Sequence, residues 1–132
     1  MAQQEILDQT SYLMEYMSRA IRMAQKDAVG TCIDQNYNYQ KTNSGLGGLI
    51  FLNSQDKCQE FFLEGAQLKE RKSSDNTAAN FQPSLPLTSA NLTVNSFLLG
   101  PSDTWSPGTS QPLVVFSLDI SGKNEAKLKI QT

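Results

Sequence analysis

The carboxylates are the side chains of this chain whose spacing comes nearest to catalytic chemistry. Asp56, Glu60 and Glu64 share a short region, and Asp103 and Asp119 could approach one another. Paired carboxylates can hydrolyse a glycosidic bond. Exposed carboxylates on strands and turns are the ordinary case, however, and the sequence contains no histidine, the commonest general base. No serine lies in a GxSxG context and no phosphate-binding glycine motif is present, so we expect that the protein is not an enzyme.

The loop at residues 100–111 offers two weaker possibilities. It contains Asp103, whose carboxylate could help to hold a calcium ion that stiffens the loop through oxygen ligands. It also contains the only tryptophan, Trp105, which is a candidate ligand-binding residue together with the polar loop at residues 73–90. No other cofactor is expected.

Cys32 and Cys58 are the only cysteines. A zinc site usually needs four good ligands, and the absence of histidine and of CxxC spacing argues against one. A disulfide is the favoured interpretation, with two free buried thiols as the alternative. A bridge would close a loop of about 26 residues, contribute about 3 kcal/mol in the chain-entropy model and imply folding outside the cytosol.

Residues 3–29 have the pattern of one long amphipathic helix. We expect this helix to provide the surface on which the remaining elements pack. Glu15 lies four residues before Arg19, in the favourable order for a helical ion pair. Gly30 is a suitable stop, since glycine readily takes the left-handed conformation that ends many helices. The face predicted to pack on a sheet recurs at helical spacing and comprises Ile6, Leu13, Met17, Ala20, Ile21 and Ala24.

A second group of helix residues lies to one side of this stripe. Tyr12, Tyr16 and Met23 could wrap the edge of the same core, or they could contact a neighbouring subunit together with Arg19 of the adjoining polar face. Both interpretations are open at the level of the sequence.

Residues 31–132 read as strands and loops. The clearest β signal is the last hairpin, in which Phe116, Leu118 and Ile120 alternate with polar residues before a second alternating segment at 126–132. Its apolar face needs a partner, and the helix stripe is the obvious one. The predicted fold class is therefore α+β: one domain, residues 1–132, with a long N-terminal helix packed on an antiparallel sheet.

Composition excludes two classes of partner. The net charge is −2, and the basic residues are scattered apart from Lys69, Arg71 and Lys72, whose segment includes Glu70 and is interpreted as a solvated strand or turn. Phosphate binding needs a concentrated basic face, so no nucleic acid is expected. No run of 18 or more apolar residues is present, so the chain as given does not span a membrane.

A family resemblance is carried by several segments in a fixed order. These are LMEYMSRAIRMAQKDAVGTCI, QLKER, LTSANLTVNSFLLG, QPLVVFSLDISG and AKLKIQT. In that order they resemble the soluble part of a type IV pilin-like protein, most of all the minor pseudopilins and prepilin-type proteins of bacterial secretion and pilus systems.

The resemblance implies a structural subunit of a type IV pilus-like or type II secretion pseudopilus filament, in a pilin-like αβ roll. The partners would be other pilin or pseudopilin subunits, and the location would be extracytoplasmic, at the cell surface or in the periplasm. A membrane-anchoring half-helix of about 20 apolar residues, absent here, is expected before residue 3. A ligand-binding or adhesive tip module of such a filament is the alternative function. No catalytic residue carries over.

Overall fold

The computed structural model describes the backbone of residues 3–100, 114–122 and 127–131, and the side chains of residues 8–100 and 114–122. Within these ranges the chain forms one α-helix, one short 3-10 helix and eight β-strands. Their bounds are α1 Gln3–Arg22, β1 Gln40–Thr42, β2 Gly48–Leu52, β3 Cys58–Glu64, β4 Gln67–Lys72, the 3-10 helix Ala78–Asn80, β5 Leu85–Pro86, β6 Leu92–Gly100, β7 Val115–Gly122 and β8 Lys127–Gln131.

The predicted fold class, a long helix packed on an antiparallel sheet, is wrong. The described part of the chain is mainly antiparallel β structure, with 42% of the described residues in strands and 18% in helix. Its one α-helix is short: α1 has 20 residues and ends at Arg22, whereas the sequence pattern predicted a helix as far as residue 29. The strands also divide into two sheets instead of one.

Long-range hydrogen bonds explain why the helix ends early. The backbone N–H of Gln25 donates to the carbonyl of Leu52 at 2.8 Å, which joins this residue to β2. The Asp27 carboxylate then accepts backbone N–H groups from residues that follow it. The carbonyl of Ile21, near the helix end, accepts the hydroxyl of Tyr39 at 2.6 Å. These hydrogen bonds take the place of the backbone hydrogen bonds that a longer helix would form. The helix therefore ends at Arg22, although the amphipathic pattern of the sequence continues to residue 29.

The first sheet has the order β1-β2-β3-β4-β5, with every neighbouring pair antiparallel. Gly65 and Ala66 form the two-residue turn between β3 and β4, with φ values of 62° and 61°. Positive φ at both central residues is the signature of the type I′ turn that matches strand twist. This turn sets the register in which Glu60 lies opposite Arg71.

The second sheet has the order β6-β7-β8. The predicted final hairpin is confirmed: β7 pairs antiparallel with β8, and Phe116, Leu118 and Ile120 are buried on one face. The register of β6 against β7 shifts between Val94 and Ser96, which marks a β-bulge or similar irregularity in this strand pair.

The main hydrophobic core brings together α1 and both sheets. On α1 it contains Leu13, Met14, Met17 and Ile21, and Ala24 joins it from the segment that follows the helix. On the strands it includes Phe51, Phe61, Leu68, Val94, Phe97, Phe116 and Leu118. A second cluster, comprising Cys32, Ile33, Ile50, Leu52 and Cys58, covers the opposite face of the first sheet. All five residues of β2 are buried because the two clusters lie on its two faces.

Candidate functional site

The predicted subunit-contact residues form one surface on α1. Tyr12 is 75% exposed and Met23 is 55% exposed. Tyr16 is half-buried between them, and the exposed Arg19 forms an ion pair with Glu15 at 2.9 Å, as the spacing predicted. We call Tyr12, Tyr16, Arg19 and Met23 the α1 surface. Tyr16 also packs against the main core, whereas the side chains of Tyr12 and Met23 are largely exposed.

A groove runs beside this surface. It encloses about 260 Å³ between α1 and the turn that follows β2. Tyr16, Arg19 and Met23 line its helical side, and Asn53, Gln55 and Lys72 line the other. The Asn53 side-chain carbonyl accepts the backbone N–H groups of Gln55 and Lys57, which gives the turn a defined shape.

A chain of hydrogen bonds fixes the floor of the groove. The Tyr16 hydroxyl donates to the Glu70 carboxylate, at 2.8 and 2.7 Å from its two oxygens. Gln59 Nε2 donates to the same carboxylate at 2.7 Å, and Asn53 Nδ2 donates to Gln59 Oε1 at 3.0 Å. Burial and the neighbouring Glu70 carboxylate raise the pKa of Tyr16 well above its ordinary value, so its hydroxyl keeps its proton. This network gives the α1 surface a rigid base.

The predicted sheet-packing residues lie mainly in the main core. Leu13, Met17, Ile21 and Ala24 are buried there, and Ala20 is partly buried against it. The side chain of Ile6 lies outside the described residues.

The two cysteines are joined. Cys32 and Cys58 form a disulfide with a Cα–Cα distance of 5.4 Å, so the alternative of two free thiols does not hold in this structure. The bridge ties the irregular segment after α1 to the start of β3. A buried carboxylate shapes the same segment: Asp27 accepts the backbone N–H groups of Val29, Gly30, Cys32 and Ile33 at 2.8–3.2 Å.

The carboxylates considered for hydrolysis each have separate structural partners. Asp56 accepts the Gln25 amide at 3.0 Å, and Glu64 forms an ion pair with Lys69 at 3.1 Å. Glu60 is fully buried against Arg71, and Asp119 accepts a long hydrogen bond of 3.4 Å from Asn95. Asp103 and Trp105, with the loop that holds them, lie outside the described residues.

The sequence reasoning missed the arrangement around Arg71. Arg71 Nε donates to Glu60 Oε1 at 2.6 Å, and the guanidinium lies 4.2 Å from the centroid of the Phe81 ring. The sequence predicts only a solvated strand or turn for the segment that holds Lys69, Arg71 and Lys72. The signal that could have identified the pair is the two-residue turn at Gly65, because it places Glu60 opposite Arg71 across the hairpin.

The described ranges can also be characterised for metal-binding groups and for membrane-spanning helices. Histidine, cysteine, aspartate and glutamate side chains do not gather there in groups of three or more that could hold a metal ion. In the same part of the chain, no helix has the length and apolar character needed to cross a membrane.

Comparisons with protein-family models, with curated proteins and with solved structures gave no match.

Proposed function

We propose that this chain is a structural, non-catalytic subunit of a type IV pilus-like or type II secretion pseudopilus filament, and that it contacts a neighbouring subunit through the α1 surface. The observation that carries the proposal is the exposure of Tyr12 and Met23, at 75% and 55%. Met23 directly follows α1, and its backbone N–H still donates to the carbonyl of Arg19 at 3.1 Å. Eleven residues correspond to about three helical turns, so Tyr12 and Met23 lie on the same side of the helix.

The chemistry of this surface supports a protein partner. Tyrosine, methionine and arginine are enriched at protein interfaces, where tyrosine and arginine often contribute most of the binding energy. Tyr16 is held in place by Glu70, so little side-chain entropy would be lost when a partner covers it. A subunit that presents one such face to a different face of the next copy generates a helical filament if the contacts do not close into a ring.

The disulfide supports an extracytoplasmic location for the subunit, at the cell surface or in the periplasm, because such bonds persist mainly in oxidising compartments. In this proposal the partners are other pilin or pseudopilin subunits, and contact with the membrane is made through a segment encoded before the helix.

The proposal is tested by substituting the α1 surface in the full gene and quantifying filaments in cells. We expect Met23→Lys and Tyr12→Glu each to reduce assembly at least about tenfold, because each places a charge in a desolvated contact. Leu46→Lys is the matched control, since Leu46 is 78% exposed in the loop between β1 and β2, away from α1.

Circular dichroism and thermal melting of the isolated variants establish that each one is folded. If folded Met23→Lys and Tyr12→Glu subunits assemble as well as the Leu46→Lys control, the α1 surface is not the subunit contact and the proposal fails.

A further inference from the structure

We propose that a cleft beside Arg71 binds a small ligand through a carboxylate group. The Arg71 cleft is a cavity of about 520 Å³ at the edge of the first sheet, lined by Lys57, Arg71, Lys72, Ser74, Gln82 and Leu85 among others. The cleft shares Gln55 and Lys72 with the groove beside the α1 surface, but Arg71 lines only the cleft. Ligand binding there does not depend on the filament function.

Arg71 is held in one orientation by groups on two sides. Its Nε donates to Glu60 Oε1 at 2.6 Å, and Glu60 is fully buried, with Oε2 accepting the Ser44 hydroxyl at 2.8 Å. The guanidinium also lies 4.2 Å from the centroid of the Phe81 ring, a distance typical of a cation–π contact.

An arginine side chain has five N–H donors, and the Glu60 contact uses only the one on Nε. The Arg71 side chain is 35% exposed, so a ligand can reach its remaining donors. Because the side chain is already held in one orientation, little side-chain entropy would be lost when a ligand binds.

The charge around the cleft favours an anion. Lys57 and Lys72 line the same cavity as Arg71, and neither forms an ion pair with another described residue. The carboxylate that also lines it, Glu70, already accepts hydrogen bonds from Tyr16 and Gln59. Three cationic side chains and one carboxylate, that of Glu70, therefore line the cavity. The buried Glu60 carboxylate offsets one further charge through its ion pair with Arg71, and the sum of these charges is still positive.

The geometry of the donors selects the class of anion. The planar guanidinium fork matches the two oxygens of a carboxylate, whereas a lysine ammonium acts as a point charge. Ser74 and Gln82 can hydrogen-bond to a polar remainder of the ligand, and Leu85, which is 64% exposed, offers an apolar wall. The cavity has a volume typical of small-molecule sites. A sugar acid or the carboxyl terminus of a short peptide shares this chemistry.

Titrations of the purified, oxidised chain followed by ¹H–¹⁵N amide shifts test the proposal. The probes are glucuronate, N-acetylglycine and uncharged glucose. We expect saturable shifts at Lys72, Ser74 and Gln82 with the two acids, and none with glucose. Tighter binding of glucuronate than of N-acetylglycine identifies a sugar acid, and the reverse order identifies a peptide-like carboxylate. The proposal is overturned if neither acid gives saturable shifts, or if glucose gives equal ones.

Variants separate the cleft from general charge effects. Arg71→Lys keeps a cation for Glu60 but loses the fork, and should weaken binding of the acids about tenfold. Lys57→Gln changes an exposed residue that can be replaced without unfolding, and should weaken binding about threefold. Lys41→Gln, an exposed cation on β1, is the control and should bind as the original chain does. Unchanged affinity for the acids in both cleft variants contradicts the proposal. The filament assay on Met23→Lys tests the proposed function separately, and its outcome does not depend on these binding measurements.

Discussion

Individual buried carboxylates fix the conformation of the residues around them by accepting several hydrogen bonds each. Asp27 is 1% exposed and accepts four backbone N–H groups, which otherwise would have no partner after α1 ends. Glu70 performs a similar role for the Tyr16 and Gln59 side chains. Both carboxylates therefore hold neighbouring groups in place through several hydrogen bonds each.

Replacing the Asp27 carboxylate should reduce stability in a pH-dependent way. Burial alone would raise the pKa of Asp27, but the four backbone donors outweigh burial and lower it below 3.8. Its stabilisation is therefore complete above about pH 5 and is lost as the pH falls through the lowered pKa of the folded state.

We expect Asp27→Asn to cost about 2–3 kcal/mol in the free energy of unfolding at pH 7, because an amide donates where four donors already converge. Below about pH 4 the difference from the original chain should shrink. Denaturant unfolding across the pH range measures both effects. Asp34→Asn, at an exposed position, is the control and should change stability by less than about 0.5 kcal/mol. Equal costs at pH 3 and pH 7 would contradict the role given to the carboxylate.

At the scale of elements, close contact between strands limits which residues can be exchanged. A Cβ atom added to Gly48 at the start of β2 would lie 2.5 Å from the carbonyl oxygen of Phe61 and 2.7 Å from the Cβ of Phe62. Both atoms belong to β3, the partner of β2. The close approach of β2 to β3 therefore requires glycine at this position.

Gly48→Ala should consequently destabilise the fold by about 1–3 kcal/mol, the usual range for overpacking. Gly100→Ala is the matched control in β6, because a Cβ there meets no atom within 4 Å. Its effect should stay within about 0.5 kcal/mol. Thermal and denaturant unfolding of the two variants provide the comparison, and a Gly48→Ala variant as stable as Gly100→Ala would show that β2 and β3 can separate without cost.

At the scale of the whole molecule, one core joins α1 to both sheets, and a smaller cluster closes the other face of the first sheet. The Cys32–Cys58 bridge lies within that smaller cluster and holds the segment after α1 against β3. The bridge closes a loop of 26 residues. A loop of this length is worth about 3 kcal/mol through the entropy of the unfolded chain.

Loss of the bridge should therefore lower the melting temperature by roughly 10 °C for a chain of this size. The double variant Cys32→Ala, Cys58→Ala should melt at the same lowered temperature with or without reductant, while reductant should lower the melting point of the original chain alone. Mass spectrometry under both conditions verifies the state of the thiols. A melting point that does not move on reduction would mean that the bridge contributes little to stability.

Local patterns in the sequence predicted the features that depend on near neighbours. The alternation of Phe116, Leu118 and Ile120 predicted a half-buried strand, and the period of Leu13, Met17 and Ile21 predicted a buried helical face. With only two cysteines, Cys32 could pair in the chain with Cys58 alone. These predictions succeeded because side-chain period and composition can be read over short distances along the chain.

Contacts between residues that are far apart in the sequence determined the other features of the fold, and the sequence pattern alone could not show these contacts. The helix ends at Arg22 because Gln25 bonds to Leu52, a residue 27 positions further along the chain. Division of the strands into two sheets, and the position of Arg71 between Glu60 and Phe81, likewise depend on tertiary pairing. Helical period favoured a longer helix, but tertiary hydrogen bonds and burial outweigh local propensity, which differs by less than about 1 kcal/mol per residue.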